Sequence, residues 1–123
     1  MKIIRVYVVF YFISFFRVDN LLIFSKNISG YFCQEQRLVC ISEQVIKLTA
    51  KEFDILALLI THPKRVFTYE LIMELVWNED YSLYSRKAVN NHVSNLRRKL
   101  KTTSGSPDYI KSVVSVGYKF EVT

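Results

Sequence analysis

A sixteen-residue stretch, RKAVNNHVSNLRRKLK from Arg86 to Lys101, carries the whole excess of positive charge of this chain. It contains six Lys or Arg and no acidic residue, whereas the eleven Lys or Arg elsewhere balance the eleven Asp and Glu of the chain. Lysine and arginine neutralise phosphate groups, and the asparagine amides between them can pair with the edges of bases. The stretch therefore has the side chains that binding to a nucleic acid requires.

Apolar residues in this stretch predict that it is an α-helix that packs one face and exposes the other. The apolar positions recur with helical spacing and follow Ser85, a suitable N-cap; they are Val89, Val93, Leu96 and Leu100. Opposite this stripe fall Lys87, Asn91, Ser94, Asn95 and Arg98, while Arg86, Asn90 and Arg97 flank one side of it. Asparagine beside basic residues is the mixture that contacts a DNA major groove. For a lone amphipathic helix, a solvated basic face is the competing interpretation.

Length and composition favour one small folded domain. The chain has 123 residues, half of them apolar, which is enough for a single core. Cys33 and Cys40 lack the CxxC spacing and the neighbouring histidines of a zinc site, so we expect no metal, no cofactor and reduced thiols. The sequence has no Ser/His/Asp or Cys/His set, carboxylate pair or phosphate loop, so we expect no enzyme activity.

Upstream of the basic stretch, the sequence predicts short strands and then two helices. Residues 28 to 48 contain three β-rich runs separated by polar pairs, which predicts three antiparallel strands. Thr49 and Glu52 match a capping box, and the helix that follows is apolar nearly all round, as expected for a central core helix. Pro63 ends it. Thr68 should cap a second helix, and its predicted buried stripe is Leu71, Ile72, Leu75 and Val76.

Downstream of the basic stretch, the sequence predicts a β-hairpin. Apolar and polar residues alternate after a turn at residues 115 to 117, where Gly117 is expected to adopt a positive φ. Lys111 and Lys119 place one basic residue on each strand. The predicted fold class is therefore α+β: a small N-terminal antiparallel sheet, three helices and a C-terminal hairpin, the arrangement of a winged helix-turn-helix.

Five motifs in a fixed order make this chain similar to a known family. They are LTAKEF, RVFTYE, LVW, HVSNLRRKL and YIKSV followed by VGYKF. In combination they resemble the winged-helix output domain of bacterial response regulators of the OmpR/PhoB family, the DNA-binding part of two-component systems. The resemblance covers about residues 28 to 123.

The resemblance implies a sequence-specific transcriptional regulator whose third helix enters the major groove of double-stranded DNA. Base-reading positions would be Asn90, Asn91, Ser94 and Asn95. Phosphate-binding positions would be Thr68, Trp77, Arg86, Lys87, His92, Arg97, Arg98, Lys111, Ser112 and Tyr118. Family members bind direct repeats head to tail, so a tandem dimer on DNA is expected.

Three departures from the family pattern modify these expectations. Val114 and Ser115 stand where the family's hairpin usually carries Arg and Gly, so the usual minor-groove arginine is absent. The loop from Asn78 to Tyr84, which in the family contacts RNA polymerase or a neighbouring protomer, is slightly longer than the common form. No receiver-like pattern precedes Ile28, so we expect no aspartyl-phosphorylation switch within this chain.

Residues 1 to 26 form an apolar segment that we separate from a winged-helix domain at residues 27 to 123. The run from Val6 to Phe16 is shorter than the roughly 20 residues of a membrane span, and extending it to Phe24 encloses Arg17 and Asp19. An extra strand or helix of the domain, a membrane anchor and a secretory signal all remain open.

Two classes of function thus compete. In the first, the chain is a cytoplasmic DNA-binding regulator. In the second, it is a membrane-associated interaction module that uses the basic helix and the apolar N-terminus. Asn90, Asn91 and Asn95 favour DNA, because a lipid-binding face gains nothing from amides.

Overall fold

A computed structural model describes residues 15–18, 21–24, 30–101 and 108–121, the first two ranges by their backbone only. The chain forms two compact units. One comprises Met1–Lys47 with Leu100–Pro107 and Val122–Thr123, and the other comprises Leu48–Lys99 with Asp108–Glu121.

The first unit contains a five-stranded antiparallel sheet. Its strands, in spatial as well as chain order, are β1 (Phe15–Val18), β2 (Leu21–Phe24), β3 (Gly30–Cys33), β4 (Leu38–Ile41) and β5 (Gln44–Ile46). The last three are the strands that the sequence predicts. Ser42 and Glu43 between β4 and β5 have φ of 51° and 65°. Two consecutive left-handed residues give a tight turn whose twist matches that of the strands it joins.

The N-terminal segment contributes β1 and β2 to this sheet. β2 pairs with β3 from Leu21 opposite Cys33 to Phe24 opposite Gly30, across the predicted boundary between residues 26 and 27. Of the three interpretations of this segment, the structure thus supports added strands, over residues 15–18 and 21–24. Residues 6 to 14 lie outside the described ranges, and the role of residues 1 to 26 as a separable segment stays a prediction. No helix in the described parts of the chain is long and apolar enough to span a bilayer.

The core helix of the second unit is α1 (Ala50–Ile60), and its capping box is confirmed. The Thr49 hydroxyl accepts a hydrogen bond from the Glu52 backbone N–H, and Glu52 Oε1 accepts one from the Thr49 backbone N–H at 2.9 Å. Its buried apolar residues occupy more than one face; they are Phe53, Ile55, Leu56, Leu59 and Ile60. A helix buried on several sides is the centre of its unit.

After strand β6 (Phe67–Thr68), the second helix begins as α2 (Tyr69–Ile72) and continues as a π-helical turn, Met73–Trp77. Thr68 caps it as predicted. The predicted buried stripe is partly wrong: Ile72 is buried, but Leu75 is 56% exposed, and the other buried residues are Tyr69 and Met73. A π-turn advances the chain by a smaller angle per residue, so a stripe drawn with α-helical spacing loses its phase there.

The third helix, α3 (Ser85–Leu100), buries the predicted stripe, since Val89, Val93, Leu96 and Leu100 are all at most 4% exposed. Ser85 is its first residue rather than its N-cap. The Ser85 hydroxyl instead accepts a hydrogen bond from the Ser82 backbone N–H at 2.8 Å. This bond orders the end of the loop that leads into α3.

A second antiparallel sheet has the order β6-β8-β7, with β7 (Ile110–Val113) and β8 (Gly117–Phe120) forming the predicted hairpin. The prediction for Gly117 is wrong. Ser115 takes the positive φ, at 63°, and none of the described glycines does. Gly117 is required for space: a Cβ there would lie 1.9 Å from the Phe67 carbonyl oxygen. The hairpin thus closes on the strand that precedes the second helix.

Candidate nucleic-acid interface

One face of α3 exposes polar and basic side chains in two helical rows. Apart from Arg86 on its flank, the exposed residues of α3 are Lys87, Asn91, Ser94, Asn95 and Arg98, the same five that the periodicity places opposite the buried stripe. Asn91 and Asn95 are one turn apart, as are Ser94 and Arg98, so donors and acceptors alternate with positive charge along the helix. A rigid helix of this width fits the major groove of B-form DNA.

Arg97 joins α3 to the hairpin. Its Nε and Nη2 donate to the Ile110 carbonyl oxygen at 3.0 and 2.8 Å, and Nη2 also donates to Ser112 Oγ at 2.7 Å. Its guanidinium lies 5.2 Å from the ring centroid of Tyr118. Because three of these bonds hold β7, Arg97 fixes the angle between hairpin and helix. Its phosphate contact stays a prediction, as does that of Ser112.

Tyr118 joins β8 to the same side of α3. Its buried hydroxyl donates a hydrogen bond to Asn90 Oδ1, and its ring packs edge-on against Tyr69, with the centroids 5.8 Å apart. Burial raises the pKa of the Tyr118 hydroxyl, and the neighbouring Tyr69 raises it further, despite the opposing charges of Arg97 and Arg86. The hydroxyl therefore keeps its proton at neutral pH and acts as a donor.

The opposite side of α3 is packed by the end of the second helix. The indole of Trp77 meets the imidazole of His92 edge-on at 5.0 Å between centroids. His92 Nδ1 donates to the Ala88 carbonyl oxygen at 2.8 Å, which directs the other ring nitrogen away from the helix axis. Lys51 lies 5.5 Å from the indole centroid and donates to the Val76 carbonyl oxygen. Trp77 and His92 are therefore brought together as one half-buried unit.

A buried ion pair fixes the C-terminal half of α3 to the core helix. Lys99 Nζ lies 2.6 Å from Glu52 Oε1, and Glu52 is 2% exposed. Burial alone would raise the pKa of this carboxyl group, but the hydrogen bonds from Lys99 and from the Thr49 backbone outweigh it and leave the pKa lowered. The carboxylate is thus charged at neutral pH and holds α3 against α1.

The remaining residues that are predicted to bind phosphate lie around the exposed face on different elements of the fold. Arg86 is exposed, with its guanidinium 4.8 Å from the ring centroid of Tyr69. Thr68 uses its hydroxyl as the acceptor of the N-cap bond, which leaves its proton for another partner. Lys111 is half-buried on β7. At the tip of the hairpin Val114 is 86% exposed, in the position where the resemblance implies arginine.

Three residues that contribute to this site were not predicted from the sequence: Tyr69, Lys51 and Lys99, which pairs with Glu52. No sequence pattern marks Tyr69 as a site residue, yet its ring supports both Tyr118 and Arg86. No local signal marks the pairing of Glu52 with Lys99, because the two residues are 47 positions apart.

Comparisons with known proteins agree with this geometry. The model of a family described as "Transcriptional regulatory protein, C terminal" matches residues 43–120. The chain belongs to this family. The resemblance to OmpR/PhoB output domains is thereby confirmed, and so is the winged-helix fold class.

Individual relatives point the same way. The chain is 35% identical over 104 residues to the alkaline phosphatase synthesis transcriptional regulatory protein PhoP of Bacillus subtilis, covering 85% of this chain and 39% of PhoP. It therefore spans about two fifths of that relative. The DNA-binding domain of Bacillus subtilis CssR superposes with a TM-score of 0.63 at 31% identity, over 75% of this chain and 99% of that one. The DNA-binding domain of AdeR, solved in complex with an intercistronic region, has a TM-score of 0.64 at 30% identity, over 80% and 98%.

Proposed function

We propose that this chain is the DNA-binding part of a cytoplasmic transcriptional regulator, with α3 in the major groove and the β7-β8 hairpin as a wing beside it. The observation that carries the proposal is the exposed face of α3, where two amides and a hydroxyl alternate with Lys87 and Arg98. The solved complex of AdeR with DNA, on a similar domain, supports it.

Base reading is assigned to Asn91, Ser94 and Asn95, whose side chains are exposed along the face, and to Asn90, which is half-buried beside them. Phosphate binding is assigned to the charged residues beside them, Lys87 and Arg98, to Arg86 on one flank of α3, and to Trp77 and His92 on the other. We assign no catalytic role, cofactor or metal. Two copies are expected to bind head to tail on direct repeats.

The loop before α3 is assigned to protein contacts with RNA polymerase or with the neighbouring copy on DNA. Leu83 is 94% exposed and Tyr84 is 80% exposed. Neighbouring large apolar side chains that remain in water are typical of a surface that a partner covers.

Selection of bound sequences from a random pool of double-stranded DNA tests the function directly. The purified chain is expected to enrich one motif, repeated in the same direction at a spacing near one helical turn. Enrichment of no motif, with equal retention of all sequences, would contradict sequence-specific binding.

Asn95→Ala and Asn91→Ala are expected to relax base preference, because an amide discriminates bases but neutralises no charge. Each should cost about 1 to 3 kcal/mol of discrimination between the selected site and scrambled DNA, with binding to scrambled DNA nearly unchanged. Titration of both DNAs measures this. Gln36→Ala, which removes an exposed amide from the turn between β3 and β4, is the matched control and should change neither affinity. Equal losses on both DNAs would contradict base reading by these residues.

Lys87→Ala is expected to weaken binding to every sequence and to lower the magnitude of the salt slope, d log K/d log[salt], by about 1, because one phosphate contact is lost. Affinities at several salt concentrations measure the slope. Lys64→Ala is the control, since it removes the same charge from the turn after α1. If both variants lower the slope equally, the effect is one of net charge and Lys87 contacts no phosphate.

A further inference from the structure

Asn90 differs from the other asparagines of α3 because its side chain is hydrogen-bonded to the hairpin. The hydroxyl of Tyr118, a residue of β8 that is 6% exposed, donates a hydrogen bond to Asn90 Oδ1. Asn91 and Asn95 are instead exposed on the open face of the helix. Asn90 itself is half-buried at the seam between α3 and the hairpin. On the helix, Asn90 lies beside the buried stripe, on the same side as Arg86 and Arg97.

The hydrogen bond selects one of two orientations of the Asn90 amide. A carboxamide has nearly the same shape when it is turned by half a rotation, but the turn exchanges an acceptor for two donors. A tyrosine hydroxyl that donates to this amide can do so only to Oδ1, which is the bond that the structure has. Oδ1 therefore faces the wing, and the Nδ2 amino group is the part of the amide that can reach DNA.

The ring of Tyr118 is in turn held in place. Tyr69 packs against one edge of it, and the guanidinium of Arg97, anchored on Ile110 and Ser112, lies 5.2 Å from its centroid. The orientation of the amide is thus set by the tertiary packing of the wing, before any DNA is bound.

Resting on the proposed function, we propose that Tyr118 is a positioning residue that sets base preference through Asn90. With Oδ1 turned toward the Tyr118 hydroxyl, Asn90 presents the two N–H donors of Nδ2 to DNA, and these match the paired acceptors N7 and O6 of guanine. Adenine offers one acceptor and one donor there and needs the amide oxygen. Asn90 should therefore favour guanine, unlike an unrestrained asparagine, which pairs with adenine.

The test is selection from a random DNA pool with the wild-type chain, Tyr118→Phe, Asn90→Ala and the double variant. Asn91→Ala is the matched control, since it removes the adjacent amide, which is exposed. Asn90→Ala identifies the base position that Asn90 contacts, because that column of the motif loses its preference. Tyr118→Phe frees Oδ1, and adenine should rise in the same column by about fivefold or more relative to guanine. The other columns should not change.

The double variant separates positioning from other roles of the hydroxyl. If Tyr118 acts through Asn90, the double variant should show the same motif as Asn90→Ala. A hydroxyl that contacts phosphate, or only stabilises the fold, would lower affinity for all sequences alike and leave every column unchanged. That result would overturn the inference, as would an Asn90→Ala motif identical to the wild-type one. Failure of the wild-type chain to select any motif would instead overturn the proposed function, and this inference with it.

Discussion

Gly117→Ala is expected to destroy the cooperative fold of the second unit or to reduce its unfolding free energy by about 3 kcal/mol or more, at the upper end of overpacking costs. The new Cβ would lie 1.9 Å from the Phe67 carbonyl oxygen and 2.9 Å from Thr68 Cα. Both are backbone atoms, so no side-chain rotation relieves the clash. β6 would have to separate from β8, and the bond from the Tyr69 backbone N–H to the Val116 carbonyl oxygen would be lost with it.

Urea unfolding followed by circular dichroism measures this cost. Ser115→Gly is the matched control, because it lies two residues away at a φ of 63°, where glycine is favoured. That variant should be as stable as the wild type or more stable, by up to about 1 kcal/mol. If Gly117→Ala unfolds within about 1 kcal/mol of the wild type, β6 does not approach β8 as closely as the structure shows.

Glu52→Ala is expected to cost about 3 kcal/mol at neutral pH, because it removes the side-chain half of the capping box and leaves Lys99 without its partner. Glu52→Gln should cost less, since glutamine retains the capping bond to the Thr49 backbone N–H. The side chain of Lys99 is 30% exposed, so it can be partly hydrated when unpaired, which keeps the cost at the lower end of that for buried pairs. Glu70→Gln, an exposed first-turn glutamate of α2, is the control and should be nearly neutral.

The dependence on pH provides a second measurement of the same pair. The pKa of Glu52 is lowered in the folded chain from its ordinary value of 4.5, so its carboxylate binds protons less readily when folded than when unfolded. Its contribution to stability is complete above pH 4.5 and is lost as the pH falls through the folded pKa. The stability difference between wild type and Glu52→Gln should therefore be largest near neutral pH and should shrink below pH 4.5. A difference that is constant from pH 7 to about pH 3 would show that the charge of Glu52 contributes nothing.

Several features of the fold could be predicted because neighbouring residues determine them. The capping box of Thr49 and Glu52 lies within one helical turn, and the buried stripe of α3 repeats with the period of the helix. The exposed face follows from the same periodicity. The helical period predicts the burial of Leu75 wrongly, because the π-turn at Met73–Trp77 changes the angle between successive residues.

The sequence predicts which residues of the candidate site share the exposed face of α3, but not which contacts the side chains make. Asn90, Asn91 and Asn95 are alike in sequence, yet only Asn90 meets the Tyr118 hydroxyl, which comes from a residue 28 positions away. The helical period places Arg98 on the exposed face and Arg97 beside the buried stripe, but nothing local shows that Arg97 binds the Ile110 carbonyl oxygen.

By itself, the sequence determined the basic helix, its buried stripe, its exposed amides and the family to which the chain belongs, because each depends on residue type and short spacing. Only the tertiary structure decided that Gly117 is needed for space, that Lys99 pairs with Glu52, and that Tyr118 and Arg97 bind α3 to the wing. These contacts join residues far apart in the chain. Their partners are selected by the packing of whole elements, which no short segment encodes.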